Sequence, residues 1–266
     1  MGRRDERSGH EPGVAAVNRL RRAVGYGFVA ALALLALSWL MAGRLPGPDA
    51  IDPALTPPPR QEATDRRPFT FPYKGRSCRV RPVATYELTG VVVSHNDISS
   101  VADIYHDRTS VDTKDLCVVW GPNLATGQYL QSRYKSGPFT CYVHFREGVP
   151  FDLAGLGNNH LITDSPAIRR QIAGVQIGDQ VRLRGLLVDY QMEDWEGFWR
   201  RTSTRRDDFD CEVLFVERID VLHRATPGWY AAGRLARLLL VALPLLWILL
   251  YWLQIRSGDS VSVGQI

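Results

Sequence analysis

The chain has 266 residues, of which 45% are hydrophobic and 23% are charged, proportions that are ordinary for a globular protein. Its four cysteines form no CxxC or CxxCH motif, so zinc-ribbon and c-type haem proteins have no support. The net charge of +4 comes mostly from arginine clusters near two apolar blocks. It therefore indicates membrane topology first and anionic partners only second.

The first apolar block, Val24–Gly43, carries no charged residue. A helix of that length is ~30 Å long, which is the thickness of a bilayer core. We predict a transmembrane helix over residues 24–43, with a cleaved signal sequence ending near Gly43 as the alternative. Residues 1–23 are polar and rich in arginine, which predicts a disordered cytoplasmic tail. Residues 44–67 are rich in proline, which predicts an extended linker.

The middle of the chain alternates apolar and polar residues in several short segments, as β-strands do. In the segment Gly178–Tyr190, Val181 and Leu183 point to one face while Arg182 and Arg184 point to the other. Gly185 interrupts this alternation, as glycine does at a β-bulge. Besides a short strand at Asp103–Tyr105, five main strands are predicted: Tyr86–Ser94, Leu116–Gly121, Phe139–Phe145, Gly178–Tyr190 and Cys211–Leu222. A short helix, Thr163–Val175, separates the third main strand from the fourth.

The segments YELTGVVV, DLCVVWG, VQIGDQVRLRGLLVDY and LFVERIDVL resemble the strands of an OB-fold barrel. The predicted fold is therefore mainly β, a five-stranded OB-like barrel with one short helix over residues 68–223, flanked by two transmembrane helices. Another small β-barrel or sandwich is the alternative. The blocks LCVVWG, GNNHLIT and RTSTRRDD also resemble an uncharacterised family of bacterial membrane-anchored proteins, a resemblance that implies no activity. GNNH (157–160) is expected to form a tight loop.

The second apolar block predicts a transmembrane helix over residues 231–255, followed by a polar tail at residues 256–266. Pro244 lies inside this helix, and aromatic pairs at both ends fit interfacial belts. Six arginines precede the first span, which predicts cytoplasmic termini and a periplasmic middle domain in the inner (plasma) membrane. The arginines that precede the charge-free part of the second span (Leu238–Ile255) argue in the opposite direction; they are Arg224, Arg234 and Arg237.

All four cysteines lie in the middle domain, and their even number agrees with an oxidising compartment. Strand phase favours a disulfide between Cys117 and Cys141. The remaining pair, Cys78 and Cys211, would then tie the ends of the domain together. The alternative is that some of these cysteines are buried thiols.

The long loop 191–210 interleaves aromatic residues with arginines and corresponds to a ligand-contacting loop of OB-folds. Three kinds of partner suit this composition: membrane lipid, an envelope protein, or single-stranded nucleic acid. Nucleic acid is disfavoured because it is scarce outside the cytoplasm, and a loop that binds no ligand stays open as well. The predicted binding residues are Trp195, Phe198, Trp199, Arg200, Arg201, Arg205 and Arg206.

Neither a metal nor a cofactor is predicted. Histidines and aspartates occur together, but without the spacing of a known ligand frame; they are His95, His106, His144, His160, Asp97, Asp103 and Asp107. No GxSxG, SxxK, phosphate loop or GxGxxG motif is present, so no catalytic residue is assigned.

The sequence thus favours a non-enzymatic, membrane-anchored binding or scaffold module that meets an envelope protein or the membrane surface. Two alternatives stay open. One is a metal-dependent enzyme or sensor that uses the His/Asp-rich loop, and the other is a nucleic-acid-binding membrane protein with its barrel in the cytoplasm.

Overall fold

The structure is a computed structural model, and it describes residues 11–98, 110–137, 140–206 and 210–258. The chain divides into two compact units. The helical unit comprises Met1–Ala42 and Thr226–Ile266, and the middle unit comprises Gly43–Ala225.

The helical unit contains two long helices, α1 (Glu11–Met41) and α4 (Pro227–Gly258). Both are long and apolar enough to span a membrane, as predicted from the two apolar blocks. Polar contacts join them: the Ser38 hydroxyl donates to the Trp229 carbonyl at 2.9 Å. The Arg21 guanidinium donates to the side chain of Gln254 at 2.8 Å and lies over the Trp247 ring.

The described part of the middle unit contains two short helices, α2 (Pro122–Ala125) and α3 (Pro166–Ala173), and more strands than the five predicted. Helix α3 confirms the predicted helix, and Ser165 caps its first turn by accepting from the Ile168 amide. The strands are β1 (Arg60–Ala63), β2 (Phe69–Tyr73), β3 (Arg76–Asn96), β4 (Lys114–Val119), β5 (Ser132–Gly137), β6 (Thr140–Phe145), β7 (Leu156–Ile162), β8 (Gln180–Met192) and β9 (Glu212–His223).

Seven of these strands form one mixed sheet, and β5 pairs with β6 in a separate hairpin. The long strand β3 pairs antiparallel with β1, β2, β4 and β8. Strand β4 pairs with β7, β7 runs parallel to β9, and β9 pairs with β8. Residues 99–109, which include the predicted strand Asp103–Tyr105, lie outside the described residues.

Strand β8 lies between β3 and β9, and its alternating sequence explains its place. Val181 and Leu183 are fully buried in the largest apolar cluster, whereas Arg182 and Arg184 point outward to Glu87 of β3. The register against β9 shifts between Arg184 and Gly185, as predicted for a bulge. A Cβ atom at Gly185 would overlap the Phe215 carbonyl, so only glycine allows this close approach of the two backbones.

Two predictions about the third strand were wrong. The segment Phe139–Phe145, of which Phe139 lies outside the described residues, contributes β6 to the hairpin rather than a strand to the large sheet. The sheet position goes to β7, which contains the GNNH segment predicted as a tight loop. Its polar side chains are buried because they find hydrogen-bond partners; Asn159, for example, donates to the carbonyls of Gly157 and Leu116.

The proline-rich stretch 44–67 folds onto the middle unit instead of extending as a linker. Leu55 is fully buried, and β1 pairs with β3. The Gln180 side chain donates to the Ala50 carbonyl at 2.6 Å and accepts from the Asp52 amide at 2.9 Å. Both ends of the middle unit meet at Gly178, where a Cβ atom would lie 2.7 Å from the Arg44 carbonyl oxygen and from the Ala225 methyl.

Candidate functional site

One face of the β4–β7 pair carries polar and sulfur-containing side chains. Asp115 of β4 lies opposite His160 of β7, and Cys117 lies opposite Asn158. The alternate residues of both strands, among them Leu116, Val118 and Leu161, enter the large apolar cluster on the other face. Period-two alternation therefore places the four polar and sulfur-containing residues together on one surface of the sheet.

His160 is fully buried at the centre of this group. Its Nδ1 atom lies 2.7 Å from an Asp115 carboxylate oxygen, and its Nε2 atom lies 2.8 Å from an Arg200 guanidinium nitrogen. The side chain of Cys211, just before β9, hydrogen-bonds to the imidazole, and the Asn158 amide donates to its sulfur at 3.4 Å. We call Asp115, Asn158, His160 and Cys211 the Cys–His cluster.

The electrostatics of the cluster favour proton uptake by His160. Burial disfavours the imidazolium, but the hydrogen bonds with Asp115 and Cys211 outweigh burial and raise the pKa of His160. The Arg200 guanidinium acts in the opposite direction. Asp115 faces Nδ1 and Arg200 faces Nε2, so both ring nitrogens of His160 have a polar partner.

A cavity of about 680 Å³ opens next to the cluster, between the β5–β6 hairpin, β7 and the end of the loop 191–210. Cys211 and Asn158 line it, and so does Cys141 of the hairpin. The cavity also borders Arg205 and Arg206 from the loop. Three exposed apolar side chains stand along it: Tyr142, Phe145 and Leu153.

The aromatic residues predicted to bind a partner divide into two groups. Trp195 is partly buried, packs against a core cluster and has its ring centroid 5.4 Å from that of Tyr190, so it is structural. Phe198 is 59% exposed and meets the edge of Trp195, while Trp199 stacks on the Arg81 guanidinium at 3.7 Å. Phe198 and Trp199 line a groove of about 400 Å³ that also contains Arg201.

The arginines predicted to bind a partner also lie at different sites. Arg200 turns inward to His160, and its backbone pairs with that of Tyr190. Arg206 lies over the Tyr86 ring with its guanidinium carbon 5.4 Å from the centroid, and it donates to the Pro59 carbonyl. Arg205 and Arg206 border the cavity, whereas Arg201 belongs to the groove. The seven loop residues therefore do not form one site.

The predicted disulfide between Cys117 and Cys141 is present, with the Cα atoms 5.9 Å apart. The predicted bond between Cys78 and Cys211 is absent, and both residues are thiols. The different surroundings of Cys78 and Cys211 explain why they do not form a disulfide. Cys78 is buried in an apolar cluster opposite Phe71 and Met192, and burial raises its pKa to about 12. Cys211 instead belongs to the Cys–His cluster.

The histidine and aspartate residues considered for a metal do not assemble in the described parts of the chain, where no group of three or more His, Cys, Asp or Glu side chains is arranged to hold a metal ion. His106, Asp103 and Asp107 lie outside the described residues. His144 is exposed on β6. Burial and the neighbouring Lys114 charge lower the pKa of His95 to about 4.

The Cys–His cluster was missed because its members come from segments far apart in sequence. The available signal was the polar alternation Asp115–Cys117 in KDLCVV and Asn158–His160 in GNNHLI, which marks one face of each strand. No family model, curated protein or solved structure matches the chain, so the geometry alone must carry a functional assignment.

Proposed function

We propose that this protein is a membrane-anchored binding module whose middle unit is an OB-type barrel. The strand pairings support closure, because the series β3, β4, β7, β9 and β8 returns to β3. The parallel pairing of β7 with β9 and the position of α3 between β7 and β8 agree with an OB topology. In this proposal β1, β2 and the β5–β6 hairpin are additions to the barrel.

We further propose that the two spans lie in the inner (plasma) membrane, with cytoplasmic termini and a periplasmic middle unit. The arginines before the first span and the disulfide between Cys117 and Cys141 support this orientation.

The orientation can be tested with two reporter cysteines, Ser8→Cys in the tail and Glu147→Cys in the middle unit, both in a Cys211→Ser background. A membrane-impermeant maleimide should label only the second reporter in spheroplasts. Labelling of only the first would reverse the orientation.

The partner we propose is a segment of an envelope protein that places an apolar side chain into the 680 Å³ cavity. The observation that carries this proposal is the distribution of exposed apolar side chains. The described residues of the middle unit have six large ones, and three of the six, Tyr142, Phe145 and Leu153, line this cavity. Exposed apolar side chains gathered around a concave site with arginines at its border are typical of protein-binding surfaces.

A photo-crosslinking amino acid at Leu153 tests this function in intact cells. We expect a discrete protein adduct that is lost when Tyr142→Ser and Phe145→Ser are combined. The matched control is the same amino acid at Val83, which is also exposed but lines the other groove. Adducts of equal yield at both positions, or adducts with lipid alone, would contradict a protein partner at this cavity.

A further inference from the structure

The Cys211 thiol and the Cys117–Cys141 disulfide occupy the same face of the sheet. Cys117 lies directly across from Asn158, whose amide contacts the Cys211 sulfur. Cross-strand neighbours have Cα atoms roughly 5 Å apart. The Cys211 sulfur therefore contacts a residue that is itself the direct neighbour of the disulfide. Cys141, the half-buried partner in the bond, lines the same cavity as Cys211.

The surroundings of Cys211 differ from those of an inert buried cysteine. Reactive thiols are partly exposed and lie beside groups that take up the proton or stabilise the thiolate. Cys211 is half-buried, hydrogen-bonds to His160 and accepts from Asn158. Cys78 provides the contrast within the same unit, because it is fully buried among apolar side chains.

We propose that Cys211 is a nucleophilic thiol that exchanges with the neighbouring disulfide, with His160 as the group that stabilises its thiolate and Asp115 as the positioning residue for His160. This activity is separate from partner binding, although both use the wall of one cavity.

The exchange needs no external oxidant. Cys211 gives its proton to solvent in the cavity, and the resulting thiolate, stabilised by His160, attacks the Cys141 sulfur. A bond between Cys141 and Cys211 forms while the bond between Cys117 and Cys141 breaks. Cys117 leaves as a thiolate and takes up a proton from solvent. One disulfide and one thiol exist before and after the step. The three cysteines can therefore hold either the Cys117–Cys141 bond or the Cys141–Cys211 bond.

The first test measures alkylation of the full-length protein in detergent, with peptide mass spectrometry to separate Cys211 from Cys78. We expect Cys211, although half-buried, to react at least threefold faster at pH 7 than the thiol of free glutathione measured in the same buffer. The charged groups around this thiol are Asp115 of β4, Glu212 of β9, and Arg200, Arg205, Arg206 and Asp210 of the loop. A rate equal to or below that of free glutathione would overturn the proposal.

His160→Gln tests whether His160 stabilises the Cys211 thiolate. This variant should slow Cys211 alkylation at pH 7 by at least tenfold, and the slowing should be smaller at pH 9, where thiols ionise without help. The conservative variant Asp115→Asn should show a smaller effect in the same direction. An unchanged rate at pH 7 in a folded His160→Gln protein would refute the role of His160. If that variant does not fold, the wild-type rate at pH 7 still decides whether Cys211 is activated.

Whether the Cys141 and Cys211 sulfurs can form a bond is tested in the Cys117→Ser variant, with oxidised glutathione as the oxidant. We expect the Cys141–Cys211 disulfide as the main product. Separate glutathione adducts on Cys141 and Cys211, with no bond between them, would refute exchange. Failure to find a crosslink at Leu153 would contradict partner binding but would not change the alkylation or exchange results. The proposals of partner binding and of thiol exchange can therefore be refuted separately.

Discussion

Leu55 provides a direct test of whether the proline-rich segment belongs to the folded middle unit. Its side chain is fully buried in an apolar cluster with Val91, Val119 and Tyr129, although it precedes every strand in the chain. If the segment were an independent linker, shortening this side chain would not affect the stability of the sheet. Because Leu55 completes the cluster, we expect Leu55→Ala to destabilise the whole unit.

The expected loss is about 3 kcal/mol, since replacing a fully buried leucine by alanine typically costs 2–5 kcal/mol through lost burial and the cavity left behind. For a unit of this size each kcal/mol lowers the melting temperature by roughly 2–4 °C, so the shift should be about 6–12 °C. The matched control is Leu153→Ala, which makes the same chemical change at a side chain that is 45% exposed. Its effect should stay within about 0.5 kcal/mol.

A fluorogenic maleimide can follow unfolding of the full-length protein in detergent. In a Cys211→Ser background the disulfide does not react, and buried Cys78 reports the opening of the middle unit. The reasoning would be refuted if Leu55→Ala and Leu153→Ala melted within 2 °C (about 1 kcal/mol or less) of each other.

Other predictions use the same melting assay. Trp195→Ala should cost about 2 kcal/mol because this ring packs on the core, whereas Phe198→Ala, at an exposed ring, should stay within about 0.5 kcal/mol. Equal effects would contradict the structural role assigned to Trp195. Burial and the Lys114 charge lower the pKa of His95 from 6.5 to about 4, so the unfolded chain takes up this proton first as pH falls. Stability should therefore fall between pH 6.5 and 4, and His95→Gln should reduce that fall. An identical pH profile in the variant would argue against a buried neutral His95.

Period-two alternation was sufficient to predict the strands whose outward residues are polar and whose inward residues are apolar. It predicted β8 and β9 closely, together with the bulge at Gly185, and strand phase also predicted the disulfide between Cys117 and Cys141. Strand β4, in which all six residues are buried, was predicted from its apolar run LCVV. These features depend on local pattern, because each strand carries its own apolar face.

Strand β7 and the Cys–His cluster could not be predicted in the same way. Asn158 and His160 are polar, and polar residues next to glycine favour a loop when only neighbours in sequence are considered. Their burial becomes favourable only through Asp115 and Cys211, which come from distant segments. The proline-rich segment was predicted as a linker for a related reason, since the residues that hold it, among them Val91 around Leu55 and Gln180 beside Ala50, are distant in sequence.

The meeting of both ends of the middle unit at Gly178 has an evolutionary consequence. A folded unit whose first and last residues lie side by side can be inserted into a single surface turn of another chain without forcing the flanking residues apart. The same geometry lets it be removed by joining the residues on either side. The unit Gly43–Ala225 could therefore be added to a pair of helices, or deleted from it, in one recombination step.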